Sequence, residues 1–246
     1  LALEKLKKMD IIHNDIKPDN VLYDIDRNIP IIIDFGISIH KKQLTPETYK
    51  EHFYVFYPEY YVWCLDIHYI CYLLHINKTP QKDEIEEICD SFVKHNPALR
   101  GFSDLFLKKY RHTCVKALTR YIGQDYLSVI KKLLKHTETW DLYSFSIIYL
   151  SILEYWYTRG FSDNSFIIDF SQLLLENIHP FPEKRNSIKE TTEKFSGFFY
   201  TNTNNKNISD LINNVDDNYA MTRLNIHKEE KKLMIMSKKL ITLIPH

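Results

Sequence analysis

A chain of 246 residues, 44% hydrophobic and 26% charged, has the makeup of a soluble globular protein with material for a large core. Its 32 Lys and Arg are balanced by 32 Asp and Glu, so the concentrated basic surface needed to bind a nucleic-acid backbone is not expected. Apolar runs such as Phe145–Leu153 fall short of the roughly 20 residues of a membrane span, and no secretory signal opens the chain, so a cytoplasmic protein without a transmembrane segment is expected. Cys64, Cys71, Cys89 and Cys114 form no C-x-x-C pair and read as buried or free thiols of a reducing compartment.

Leu3, Leu6 and Met9 recur at helical spacing and predict a short helix over residues 1–10. It leads into Ile11–Ser38, IIHNDIKPDNVLYDIDRNIPIIIDFGIS. His13, Asp15, Lys17 and Asn20 lie on a loop between Ile11-Ile12 and Val21-Leu22, and Asp34 closes the run Ile31–Ile33 just before Phe35-Gly36. Pro18 forbids a helix in that loop and stiffens it. The segment 24–30 reads as the connection of a hairpin between the β-rich runs 21–23 and 31–33.

Phosphoryl transfer needs a carboxylate to receive the attacking hydroxyl's proton, oxygen ligands for Mg²⁺, and a cation beside the moving phosphate. Asp15, the pair Asn20 and Asp34, and Lys17 have the chemistry for those three tasks, since Mg²⁺ prefers hard oxygen ligands and few carboxylates. HNDIKPDN followed by DFG resembles the catalytic loop H-R-D-L-K-x-x-N and the D-F-G motif of eukaryotic-type protein kinases. The resemblance implies ATP and Mg²⁺ as cofactors, a protein substrate, Asp15 as catalytic base, Lys17 as phosphate contact of the Ser/Thr type, and Asn20 and Asp34 as metal ligands. It gives His13, Phe35 and Gly36 structural parts and puts Leu22 under the adenine ring, although Leu22 could equally be ordinary core. Asn14 stands where most kinases carry an arginine that receives an activation-loop phosphate, which implies activity independent of that phosphate.

All five glycines, Gly36, Gly101, Gly123, Gly160 and Gly197, follow the catalytic loop, and only LALEKLKKMD precedes it. A kinase small lobe needs a Gly-rich loop, a strand lysine and a helix glutamate upstream. The expected fold class is therefore mainly α, a kinase-like C-terminal lobe over residues 1–200 with a short β-hairpin at the cleft and no N-terminal β lobe.

Beyond Gly36 the chain is polar to Lys50, with Thr45, Thr48 and Tyr49 as possible phosphoacceptors, and ends its segment at FYPEYY. Pro58-Glu59 resembles the end of the A-P-E motif, and HPFPEKRNSIKE resembles D-P-x-x-R-P-[ST], which implies an ion pair between Glu59 and Arg185. WDLYSFSIIYLSILEYW, from Trp140, is similar to the helix that anchors the large lobe. There Asp141 would either cap its own helix or brace the backbone at the catalytic-loop histidine.

Between these motifs, residues 60–139 read as a helical insertion. One helix is expected to start at Thr79-Pro80 with Ile85, Ile88, Cys89, Phe92 and Val93 on one face. Two more are marked by Leu105, Phe106 and Tyr110 and by Leu127, Ile130, Leu133 and Leu134. Such an insertion, opening with YYVWCLDIHYICYLLH, is similar to those of protein kinases from large double-stranded DNA viruses, which would place the protein in host cytoplasm or virion. It would either shape substrate choice or serve as a passive buttress. Helices follow over 161–177 and 188–200, then an Asn-rich flexible loop over 201–218 and a basic helix over 219–246. That last helix would pack on the lobe or meet an acidic or membrane surface.

Three functions fit this pattern: a protein serine/threonine kinase of which the chain is the large lobe, a pseudokinase scaffold binding protein partners, or a small-molecule kinase. Retention of Asn20 and Asp34 favours the first, and Pro58-Glu59 speaks against the third.

Overall fold

The computed structural model describes residues 2–157 and 165–198, which are mostly helical with two small two-stranded sheets. Helix α1 (Ala2–Lys8) buries Leu6 and ends where Asp10 turns the chain at φ 54°. Strand β1 (Ile11–Ile12) follows, and then, beyond the loop, the hairpin of β2 (Val21–Asp24) and β3 (Ile29–Ile32), with Val21 opposite Ile32 and Asp24 opposite Ile29. The strands are longer than the sequence pattern marks. Pro30, expected in the connection, lies in β3 opposite Tyr23, a place an edge strand can give to a residue without an N–H.

Strand β4 (Ile39–His40) returns antiparallel to β1, a pairing too short to leave a periodic signal. A single turn, α2 (Tyr49–His52), then buries Tyr49 at 3% exposure, so this expected phosphoacceptor is closed to an outside enzyme.

Helix α3 (Leu65–Ile76) has no polar face, because residues from Leu65 to Cys71 and then Leu73 and Leu74 are all buried; hence no amphipathic period announces it. Its end is a left-handed Asn77 whose N–H returns to the Leu73 carbonyl. Helix α4 (Lys82–His95) begins after Thr79-Pro80 rather than on it, because Gln81 and Glu84 form a capping box in which the Glu84 carboxylate accepts from the Gln81 N–H at 2.8 Å. Helix α5 (Asp104–Thr119) turns Tyr110 inward, as expected, with Cys114, Ala117 and Leu118, but leaves Leu105 of the expected face exposed. Helix α6 (Tyr126–Leu133) buries Val129, Ile130 and Leu133.

Helix α7 (Trp140–Tyr157) follows, and then α8 (Ser165–Asn177) and α9 (Ile188–Gly197). Asn96 donates to the Tyr143 hydroxyl at 3.1 Å, Ser144 Oγ to the Val62 carbonyl at 2.7 Å, and Tyr110 OH to the Ile178 carbonyl at 2.7 Å. Residues 60–139 thus share one core with α7. The expected loop over 201–218 and helix over 219–246 lie outside the described residues, as do positions 161–164 and 199–200 of the two helices before them.

The expected Glu59–Arg185 pair is corrected. Glu59 is exposed, while Arg185, its side chain fully buried, binds Asp66 through two parallel bonds of 2.9 and 3.0 Å. Trp140 Nε1 donates to the same carboxylate at 3.3 Å, and Arg185 also donates to the His179 carbonyl and Thr139 Oγ1. Burial opposes the guanidinium's charge, but the Asp66 carboxylate outweighs it and holds Arg185 above its ordinary value. A carboxylate inside α3 can reach this depth; one in the exposed turn at Pro58-Glu59 does not.

The four cysteines are buried free thiols, and burial pushes Cys64, Cys71 and Cys89 up to about 12, which leaves them unreactive. No helix among the described residues is long and apolar enough to cross a membrane.

Candidate active site

The loop after β1 is pinned from below. Ile12 and Ile16 are buried at 1% exposure, and between them the amides of His13 and Asn14 donate to the two oxygens of Asp141 at 2.8 and 2.9 Å. Asp141 thus braces the loop backbone at His13, the second of the two parts expected of it. Burial raises its carboxyl above the ordinary value in spite of both amides. Asn14 takes a left-handed φ of 65°, a conformation asparagine tolerates, and its carbonyl accepts from Trp63 Nε1 at 2.9 Å. Its own amide oxygen is buried without a partner.

These anchors turn the next side chains toward one point. Asp15, 6% exposed, has Oδ2 bound by Lys17 Nζ at 2.9 Å and by Asn20 Nδ2 at 2.8 Å, while Oδ1 accepts from the Tyr60 hydroxyl. Asn20 Nδ2 also reaches the Asp15 carbonyl at 2.9 Å. The hydrogen bond to Asp15 raises the Lys17 ammonium above its usual value; partial burial opposes this, and Asp15, Asp34 and Asp19 add Coulomb attraction. His13 Nδ1 accepts from the Asp15 N–H at 3.3 Å, so the tautomer with its proton on Nε2 satisfies the second bond, to the Ile33 carbonyl at 3.1 Å. His13 therefore ties the loop to the end of the hairpin.

The Ile33 N–H in turn donates to the Asn20 carbonyl at 2.9 Å, one step beyond the β2–β3 ladder. Asp34, the next residue, is thereby held next to Asn20. It is exposed, has φ 64°, and accepts from the Gly36 N–H at 3.2 Å. A Cβ on Gly36 would meet Asp34 Oδ1 at 3.1 Å, so the glycine leaves room for that carboxylate. The Phe35 ring packs edge-on against His13 with centroids 4.7 Å apart. Leu22 is 53% exposed, which removes the core alternative, and it stands opposite the exposed Ile31 across the hairpin.

His13, Asp15, Lys17, Asn20, Asp34, Phe35 and Gly36 thus converge, with Asp141 beneath them and Leu22 at the rim. Arg185 and Glu59 do not join each other. Tyr60 and Trp63 complete the arrangement and Asp66 takes the place beside Arg185; no motif spacing marks these three in the sequence.

Similarity to known proteins falls on parts of the chain. It is 44% identical over 48 residues to Serine/threonine-protein kinase prpf4B of Dictyostelium discoideum, 19% of this chain and 6% of that protein. It is 33% identical over 90 residues to Serine/threonine-protein kinase SKS1 of Saccharomyces cerevisiae, 37% of this chain and 16% of that protein. With Serine/threonine-protein kinase LATS2 of Mus musculus it shares 54% over 37 residues, 15% of this chain and 4% of that protein. Part of this chain is similar to serine/threonine-protein kinases. The chain spans less than a fifth of the length of these relatives. No family model matches it, and no solved structure does.

Proposed function

We propose that this chain is the large lobe of an ATP-dependent protein kinase that transfers a phosphoryl group from Mg-ATP to a serine or threonine hydroxyl. The observation that carries the reading is the convergence on Asp15: a buried carboxylate with Lys17 and Asn20 on one oxygen and a hydroxyl on the other. In this role Asp15 takes the acceptor's proton, and Lys17 offsets charge on the phosphate.

The oxygen donors fit Mg²⁺. Asn20 gives its amide hydrogens to Asp15, which would leave its amide oxygen, together with the exposed Asp34 carboxylate, to hold the ion. Among the described residues no group of three or more His, Cys, Asp or Glu is gathered as a protein cage. Two donors of this kind suit an ion held largely through a nucleotide's phosphates, which supplies charge neutralisation when bound. Leu22, with Ile31 beside it, offers an apolar surface for a base.

The reading extends to residues 60–139 as an insertion into the lobe and to a cytoplasmic, soluble enzyme, in host cytoplasm or virion if viral. Nucleotide binding tests it. The full-length protein should bind a fluorescent ATP analogue more tightly with Mg²⁺ than with EDTA, and Asp34→Ala should erase that difference. Equal binding in both buffers by the parent protein would defeat the metal assignment. Mg²⁺-dependent binding without turnover would leave a pseudokinase scaffold.

A further inference from the structure

Tyr60 is not explained by the motifs around it. Its hydroxyl donates to Asp15 Oδ1 across 45 positions, its ring lies 5.9 Å from Lys17 Nζ, and Trp63 packs against it edge-on at 5.1 Å. Trp63 is itself fixed by its bond to the Asn14 carbonyl, and the Tyr57 ring stacks with that of Tyr60 at 6.4 Å. The phenol is therefore wedged in place.

The donor pattern on Asp15 gives the wedge a consequence. Oδ2 already accepts from Lys17 and Asn20, which uses both of its lone pairs. Oδ1 is the oxygen left for an incoming hydroxyl, and Tyr60 sits on it. Resting on the kinase reading, we infer that Tyr60 fills the acceptor position: its phenol keeps water off Asp15 Oδ1 and yields only to a docked protein hydroxyl. Tyr60 is thus a positioning residue that selects the acceptor. Burial and the bond to Asp15 push the phenol above its usual value, so it stays a proton donor and adds no charge beside Asp15.

Removing only the hydroxyl leaves a gap the size of a water on Oδ1 while the ring keeps its packing. The test is Mg-ATP hydrolysis by the full-length protein with no protein acceptor present, in wild type, Tyr60→Phe, Tyr60→Ala and Asp15→Ala, each checked for folding by thermal melting. Hydrolysis should rise about tenfold in Tyr60→Phe, as expected for loss of one hydrogen bond to a charged group, rise further in Tyr60→Ala, and vanish in Asp15→Ala. Hydrolysis that depends on Asp15 but is unchanged or lower in Tyr60→Phe overturns the acceptor role and leaves the kinase reading standing. Turnover that does not depend on Asp15 in any variant, or none at all, overturns the kinase reading and this role with it.

A readout without nucleotide accompanies it. With ¹³C-labelled tyrosine, Asp15→Asn should move the Tyr60 phenol's titration to lower pH. A titration unmoved by Asp15→Asn shows that the two groups do not meet in solution and overturns the role directly.

Discussion

The His13 amide donates to Asp141 Oδ2 at 2.8 Å, joining residues 128 positions apart and hanging the loop with Asp15 from the first turn of α7. With the Asn14 amide on the other oxygen, one buried carboxylate fixes two consecutive peptide units. Asp141→Ala leaves both donors unpaired in a dry site, a cost of about 2–4 kcal/mol. Urea denaturation should show that loss, and activity should fall with it. An unchanged midpoint would mean the loop holds its shape without the brace.

The Arg185–Asp66 pair predicts unequal costs. Asp66→Ala strands a fully buried guanidinium and should cost about 3–5 kcal/mol, whereas Asp66→Leu combined with Arg185→Met should recover most of it. Glu59→Ala, at an exposed position, should stay within about 0.5 kcal/mol. Denaturation midpoints of the four proteins check this; a Glu59 cost matching that of Asp66 would reinstate the Glu59 pairing.

Gly36 serves Asp34 rather than the core. Gly36→Ala puts a methyl 3.1 Å from Asp34 Oδ1 at an exposed turn. Stability should change by less than about 0.5 kcal/mol, while Mg²⁺-dependent nucleotide affinity drops about tenfold. Calorimetric titration of the two proteins separates the effects, and an unaltered affinity would free Gly36 from this part.

His68 predicts acid sensitivity. It is wholly buried in α3 between the Trp63 and Phe92 rings, near the backbone of Tyr60 and Trp63 but without a hydrogen bond of good geometry to either ring nitrogen. Burial lowers it to about 4 from an ordinary 6.5, and the backbone at Tyr60 and Trp63 offsets that only in part. The folded state therefore holds the proton less tightly than the unfolded chain. Stability is full above pH 6.5, declines as the pH falls toward 4, and is flat below; the loss amounts to about 3 kcal/mol. Urea denaturation from pH 7.5 to 4 should show the decline in the parent protein and its reduction in His68→Phe.

The arrangement of the candidate site was legible in the sequence because its residues are local. His13, Asp15, Lys17, Asn20 and Asp34 fall within 22 positions of one another, and a loop stiffened by Pro18 next to a hairpin leaves few ways to arrange them. What holds them was only partly legible. Asp141 stood out as an acid at the head of an apolar helix, but Tyr60, Trp63 and Asp66 act through long-range contacts that leave no period or spacing. Helix α3 stayed hidden for a related reason: a segment buried on every side shows no amphipathic pattern, so Asp66 within it gave no sign of being the partner of Arg185.

The most direct measurement is transfer of labelled γ-phosphate from Mg-ATP to protein by the full-length protein and its Asp15→Ala variant. The convergence on Asp15 predicts label on serine or threonine of an acceptor with the parent protein and a loss of about 10³-fold or more in the variant. Equal transfer by the two proteins, each folded to the same melting temperature, would contradict the assignment of Asp15 and the phosphotransfer function built on it.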